Sequence, residues 1–277
     1  MISRSRAQEI RECAWKIVTE SKFSELPVDP KRIAKKFRIE LKPFKPSKPG
    51  ISGFFMRVGV NFGIGYSTAI KNKGFVNFTT AHELGHFFLD GHAELLEKKI
   101  AWHFSSSGFV SNDKHEREAD LFAAELLMPE PFFRKAISTL PPRNMGFAAI
   151  QHLAELGRTS LVATAISFAK FTDVPAAVIF SSGSRVESCF LSPGFCLFPG
   201  VERLRKNCVV PTHTGTAKFN KTATQALTRR RTQNTCSLRS WFERAPNVRI
   251  QEEVIGLGGY EKTLTVLHTN GSQSVSD

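Results

Sequence analysis

The sequence predicts a mixed α/β (α+β) protein, and three observations carry that reading. Apolar residues recur at helical spacing after His115 and again over Phe147–Leu156 and Leu161–Phe171. Runs rich in Phe, Val and Ile read as strands around Gly53–Tyr66 and Val178–Ser182. At 277 residues the chain is long enough to bury a substantial core in one or two domains.

The elements follow in chain order. Ala7–Glu20 is expected to be a helix, a shorter helix follows Pro30, and strands are expected around Glu40–Phe44 and Gly53–Tyr66. The run GFVNFTTA (Gly74 to Ala81) reads as a β-rich segment because of Phe75, Val76, Phe78 and Thr79, with Thr80 suited to cap a helix behind it. That helix carries residues 82 to 86, continues through Phe87, Phe88 and Leu89, and is stopped by Asp90 and Gly91. A connecting loop with Ser105 to Ser107 leads to a second helix in HEREADLFAAELLMPEPFF (His115 to Phe133), ended by Pro129. LPPRN (Leu140 to Asn144) marks a break. Phe147–Leu156, Gly157 and Leu161–Phe171 then outline helix, turn and helix. Arg158 and Lys170 are nearly all the polar reach the second of these offers toward DNA, so the pair reads as a brace for the first domain. From Val174 a smaller β-rich region follows, with strands at Val178–Ser182 and Leu264–His268. The expected organisation is therefore residues 1–140, 141–172 and 173–277.

Residues 82 to 86 read HELGH, a match to HExxH, in which two histidines four apart project from one helical face toward one metal. Zinc held by two neutral imidazoles and a third ligand keeps a position for water, acidifies it and polarises a carbonyl. Glu83 would handle the proton. For the third ligand three residues compete. His92 lies six residues past His86, where HExxHxxGxxH carries its third histidine, but the glycine that pattern needs is Leu89. On the second helix Glu116, Ala119, Asp120, Ala123 and Leu127 share a face, and the two alanines would admit another helix closely. Glu118 points about 200° away from Glu116 at ~100° per residue. Glu116, with Asp120 one turn on to steady a histidine ring, is the preferred ligand, and Glu118 and His92 remain alternatives. Glu125 and Glu130 read as a solvated face. His115 and Tyr66 are the nearby donors for a developing oxyanion. GIG (Gly63 to Gly65) and GLGG (Gly256 to Gly259) lack phosphate-loop spacing and read as turns, and His152 reads as a core residue.

HELGH with ExEAD-x-FAAELLMP resembles the ImmA/IrrE family of zinc metallopeptidases, whose usual form is FTxAHELGH and then ExEAN-x-FAxxLLMP. Here the first part runs from Phe78 to His86 and the second from Glu116 to Pro129, with Asp120 in the asparagine place. Leu26–Phe37, Gly50–Phe55, Leu161–Arg185, SWFE (Ser240 to Glu243) and Glu252–Leu267 are similar to further parts of the family. The chain departs from it in having Phe75 and Asn77 where basic residues usually stand, and residues 190 to 239 match little of it. The resemblance implies a zincin-like peptidase domain with zinc on His82, His86 and Glu116 and Glu83 as the catalytic base. It also implies a narrow protein substrate, a helix-turn-helix repressor whose cleavage releases stress or mobile-element genes. The alternative is a metal-binding regulator or toxin–antitoxin component that holds a partner without cutting it. The intact Glu83 argues against that.

No run approaches the ~18 apolar residues needed to span a membrane, and the first residues lack a signal-peptide apolar core, so a cytoplasmic protein is expected. Cys13, Cys189, Cys196, Cys208 and Cys236 are scattered without a CxxC pair and read as free thiols. The formal charge is +13, and residues 201 to 250 hold eleven Lys or Arg against Glu202 and Glu243, or +9. Arg229, Arg230 and Arg231 could give weak contact with nucleic acid or an acidic partner, and a solvated loop is the blander reading.

Overall fold

The structure, a computed structural model, describes residues 2–45, 51–58, 60–69, 72–92, 102–106, 113–141, 145–222, 228–258 and 261–269. These form eight α-helices and two sheets. The chain divides into two compact units, residues 1–133 with 154–160 and residues 134–153 with 161–277.

In the first unit α1 (Arg4–Glu20) is opened by Ser3, whose hydroxyl accepts from the Arg6 N–H, and buries Ile10, Ala14, Ile17 and Val18 along one stripe. In α2 (Pro30–Lys36) Asp29 caps the helix and Pro30 fills the first turn, where a missing N–H has no intrahelical partner to lose. The strands β1 (Glu40–Phe44), β2 (Ile51–Val58), β3 (Asn61–Ser67) and β4 (Trp102–Ser106) form a sheet in the order β1-β3-β2-β4. β1 runs parallel to β3, and the other pairs are antiparallel. The region expected as strand around Gly53–Tyr66 is thus a hairpin. Two expectations are corrected here. Gly63 to Gly65 lie inside β3 rather than in a turn: a Cβ on Gly65 would come within 2.1 Å of the Phe54 ring, so this glycine makes room for an aromatic. Ser105 is in β4 rather than in a loop, while Ser107, Gly50 and Asn144 lie outside the described residues.

The largest correction concerns the segment before HELGH. Gly74 to Ala81 is helical, because α3 runs from Lys73 to Phe88 with Asn72 as its cap, the side chain accepting from the Phe75 N–H. Thr80 sits in the middle of that helix with its hydroxyl donating to the Val76 carbonyl at 2.8 Å. Packing overrides the strand propensity of Phe75–Thr79. α3 lies against β2 and β3, and Gly74 meets the backbone of Thr159, to which an added Cβ would come within 2.8 Å. The Asn77 amide donates to the Arg158 carbonyl at 3.1 Å, so residues 154–160 brace the front of α3. α4 (Lys114–Leu127), capped by Asp113, ends before Pro129, and α5 (Glu130–Ser138) follows. α1 packs along α4, where Arg11 pairs with Glu125 at 3.2 Å. Glu125 is therefore an ion-pair partner and not part of a solvated face, whereas Glu130 is exposed.

Beyond α6 (Phe147–Gly157), the second unit holds α7 (Leu161–Phe171), β5 (Ala176–Ser182), β6 (Arg185–Leu191), α8 (Gly215–Asn220), β7 (Arg231–Ser237), β8 (Arg249–Gly256) and β9 (Thr263–His268). The strands form an antiparallel sheet in the order β6-β5-β9-β8-β7. α7 packs on β5 and β6, so the brace it provides is to this sheet. Residues 190 to 239, which match little of the family, give the sheet an apolar cover: Phe195, Phe198, Val210 and Leu238 pack with Ala177, Ile179 and Leu267. His152 is exposed and not in the core. Gly256 ends β8 and is not part of a turn, Gly258 at φ +63° accepts from the Glu261 N–H in one, and Gly259 lies outside the described residues. All five cysteines are free.

Candidate metal centre

The site is built where α3 crosses α4. Gly85 faces Ala119 so closely that a Cβ on the glycine would stand 3.1 Å from the alanine Cα and 3.2 Å from the Phe122 ring. That approach brings the first turn of α4 under the two histidines of α3. The Nε2 atoms of His82 and His86 are 3.1 Å apart. Glu116 reaches both, with Oε2 3.4 Å from His82 Nε2 and Oε1 3.2 Å from His86 Nε2. Ligand atoms bound tetrahedrally to one zinc at its usual bond lengths stand about 3.3 Å apart, so the donor set fits such an ion. Among the described residues these three form the group able to hold a metal.

The electrostatics favour positive charge at this point. Burial pushes the His82 imidazole down, but hydrogen bonds to Asp120 and Glu116 and the nearby Glu83 outweigh it and raise the pKa to about 10. Asp120 lies 2.8 Å from His82 Nδ1 and can hold the proton there, so a bound metal would take the place of the proton on Nε2. Glu83 is fully buried on the same helix. Its carboxylate rests on β2 at Gly53, where an added Cβ would come within 2.7 Å of Glu83 Oε1 and 2.5 Å of Thr79 Cγ2.

The two alternative ligands, Glu118 and His92, fall elsewhere. Glu118 turns away from the cluster and is held by Arg6, whose Nη2 and Nε donate to Oε2 at 2.8 and 2.9 Å. Burial raises the Glu118 pKa, yet the hydrogen bonds to Arg6 and His92 bring it below the ordinary glutamate value. His92 meets the back of His86, Nδ1 to Nδ1 at 3.0 Å, on the ring edge away from the cluster. Its own pKa is lowered, chiefly by burial. His115 stacks edge-on against His92 with ring centres 4.9 Å apart and pairs with Asp113 at 3.4 Å. Tyr66 packs under the Lys31 ammonium at 4.5 Å and lines a cavity of about 500 Å³ with Asn72, Lys73, Val76 and Asn77. It is the register partner of Gly53, one strand over from Glu83. Sequence reasoning missed Arg6, which lies 112 residues from the glutamate it holds, and Gly53, whose role depends on what crosses above it.

The basic segment is only partly free. Arg231 pairs with Glu253 and lies over the Phe147 ring at 4.8 Å, whereas Arg229 and Arg230 are exposed ahead of β7. Among the described residues no helix is long and apolar enough to cross a membrane.

Two histidines and a glutamate lie close enough to share one ion, with a further glutamate buried beside them on the same helix as the histidines. Residues 72–143 match the family model of the IrrE N-terminal-like domain, peptidase M78, which is the ImmA/IrrE family anticipated from the sequence. Of solved structures, a Mycobacterium tuberculosis transcriptional regulator is similar over 94% of this chain and 76% of its own, with a TM-score of 0.57 at 13% identity. That likeness concerns the fold. No curated protein matches the sequence.

Proposed function

We propose that the chain is a zinc-dependent metallo-endopeptidase acting in the cytoplasm, with His82, His86 and Glu116 as ligands and Glu83 as the catalytic base. The observation that carries this reading is Glu116, which reaches within 3.4 Å of both imidazoles from a different helix. A scaffold helix would have no need of that convergence, nor of a buried carboxylate beside it. When bound, the ion supplies an acidified water and a polarised peptide carbonyl. Glu83 would take up a proton at a carboxylate oxygen from the water that attacks the peptide carbon and would return it to the amine nitrogen as the C–N bond breaks. Asp120 holds the His82 ring through Nδ1. The catalytic work is assigned to residues 1–140.

The substrate proposed is a helix-turn-helix repressor. The family likeness supports it, and so does a fold shared with a protein named as a transcriptional regulator. The test is co-expression with each small helix-turn-helix protein encoded nearby, for the parent and for Glu83→Gln. One discrete product, made only by the parent, is expected. Efficient digestion of generic unfolded protein would sink the narrow-substrate reading, and cleavage by Glu83→Gln as fast as by the parent would end the mechanism.

A further inference from the structure

A histidine that ligates through Nε2 must carry its proton on Nδ1, and something has to hold that proton. For His82 the holder is Asp120. For His86 the partner at Nδ1 is a second histidine, His92, at 3.0 Å between Nδ1 atoms. Two imidazole nitrogens can share only one proton. If His86 Nδ1–H is the donor, His92 Nδ1 must be bare and its proton must sit on Nε2. That nitrogen faces Glu118, 3.3 Å from Oε2, and a carboxylate is an acceptor only. Glu118 is in turn held by Arg6 through two N–H groups. Every partner in the series therefore requires the same direction of donation, from His86 to His92 to Glu118, with Arg6 donating from the far end.

The local backbone is shaped for this contact. α3 ends at Phe88, and Gly91 takes φ +84°, a value an L side chain rarely adopts. The turn brings His92, six residues after His86, beneath its ring. Arg6 closes the same turn by donating to the Asp90 carbonyl at 3.1 Å. His86, His92 and Glu118 are each no more than 2% exposed, so water does not compete for these bonds.

We infer that His92, Glu118 and Arg6 are positioning residues that lock His86 with its proton on Nδ1 and its Nε2 lone pair aimed at the metal. This rests on the proposed metal centre, and it gives the two alternative ligands a different task. It makes the ligand histidines unequal: His82 is backed by a carboxylate directly, His86 through a neutral imidazole.

The test is zinc affinity, measured by competition with a chromogenic chelator, together with the melting temperature of each metal-free variant. His92→Leu should weaken zinc binding about 10- to 100-fold, the usual cost of losing an outer partner of a metal-bound histidine. His92→Asn, whose amide oxygen can take the place of Nδ1 as acceptor, should recover most of that loss. Should His92→Leu fail to fold, Arg6→Gln at the half-exposed start of α1 provides the second variant, and a smaller but measurable weakening is expected. A purely structural role would lower the melting temperature of the metal-free variants and leave the affinity of the folded protein unchanged. Parental affinity in both His92→Leu and Arg6→Gln overturns the inference. Failure of the unaltered protein to bind zinc at all would overturn the proposed function, and the inference with it.

Discussion

Glu83 lies between His82 and His86 in sequence but rests against Gly53 of β2, so the ligation and proton transfer proposed for this helix would be separated within one helical turn. Glu83→Gln keeps size and burial while removing the base. Zinc content measured on purified protein should be unchanged, and cleavage of the cognate substrate should fall by at least ~100-fold, the scale of general-base catalysis. The two acidic residues of α4 make the complementary comparison. Glu116→Gln should abolish stoichiometric zinc, because an amide is a poor substitute for the carboxylate that meets both imidazoles. Glu118→Gln should retain zinc with reduced affinity, because it leaves the ligand set intact and disturbs only the support of His92. Zinc lost from Glu118→Gln and kept in Glu116→Gln would reverse the assignment.

The site depends as much on how α3 meets its neighbours as on what it carries. Gly85→Val would drive a branched side chain into Ala119 and Phe122, already 3.1 and 3.2 Å from an added Cβ. Overpacking of this kind costs about 1–3 kcal/mol, and the strain falls between the helices that bring Glu116 to His86. A lower melting temperature should therefore come with weaker zinc binding. Thermal melts with chelator titration would check it, and unaltered affinity would show that the crossing is not what sets the site. The periodicity of residues 115–127 and the HExxH spacing made both helices legible in the sequence, as did the Glu116–Asp120 face, because those signals are local. The start of α3 is not legible for an equally local reason: Phe75, Val76, Phe78 and Thr79 favour strand, and helix wins through contacts distant in sequence, such as those of Gly74 with Thr159 and of Asn77 with Arg158. Gly63–Gly65 illustrates the same limit, since a glycine that yields space to Phe54 and a glycine that turns the chain look alike in one dimension.

Over the molecule as a whole, +9 of the +13 formal charge lies in residues 201–250, far along the chain from the metal ligands. Such a segment can raise the rate of encounter with an acidic surface on a protein partner such as the proposed repressor, and that effect is screened beyond ~8 Å at physiological ionic strength. The structure sharpens which arginines are available for it. Arg231 is bound to Glu253, whose other oxygen accepts from the Phe147 N–H, so removing its charge leaves a buried carboxylate without its cation. Arg229 and Arg230 are exposed, and no such ion pair holds them among the described residues. The double variant Arg229→Ser, Arg230→Ser should therefore keep the parental melting temperature and zinc content. It should cleave the cognate repressor more slowly at low salt, and the difference should shrink as salt rises. Arg231→Ser should instead lower the melting temperature, with its effect on cleavage following stability and not ionic strength. Initial rates for the three proteins across a salt series would decide between these outcomes. A double variant as fast as the parent at low salt would remove the steering role, and a stable Arg231→Ser with the salt response expected of the double variant would place Arg231 on the partner-facing surface after all.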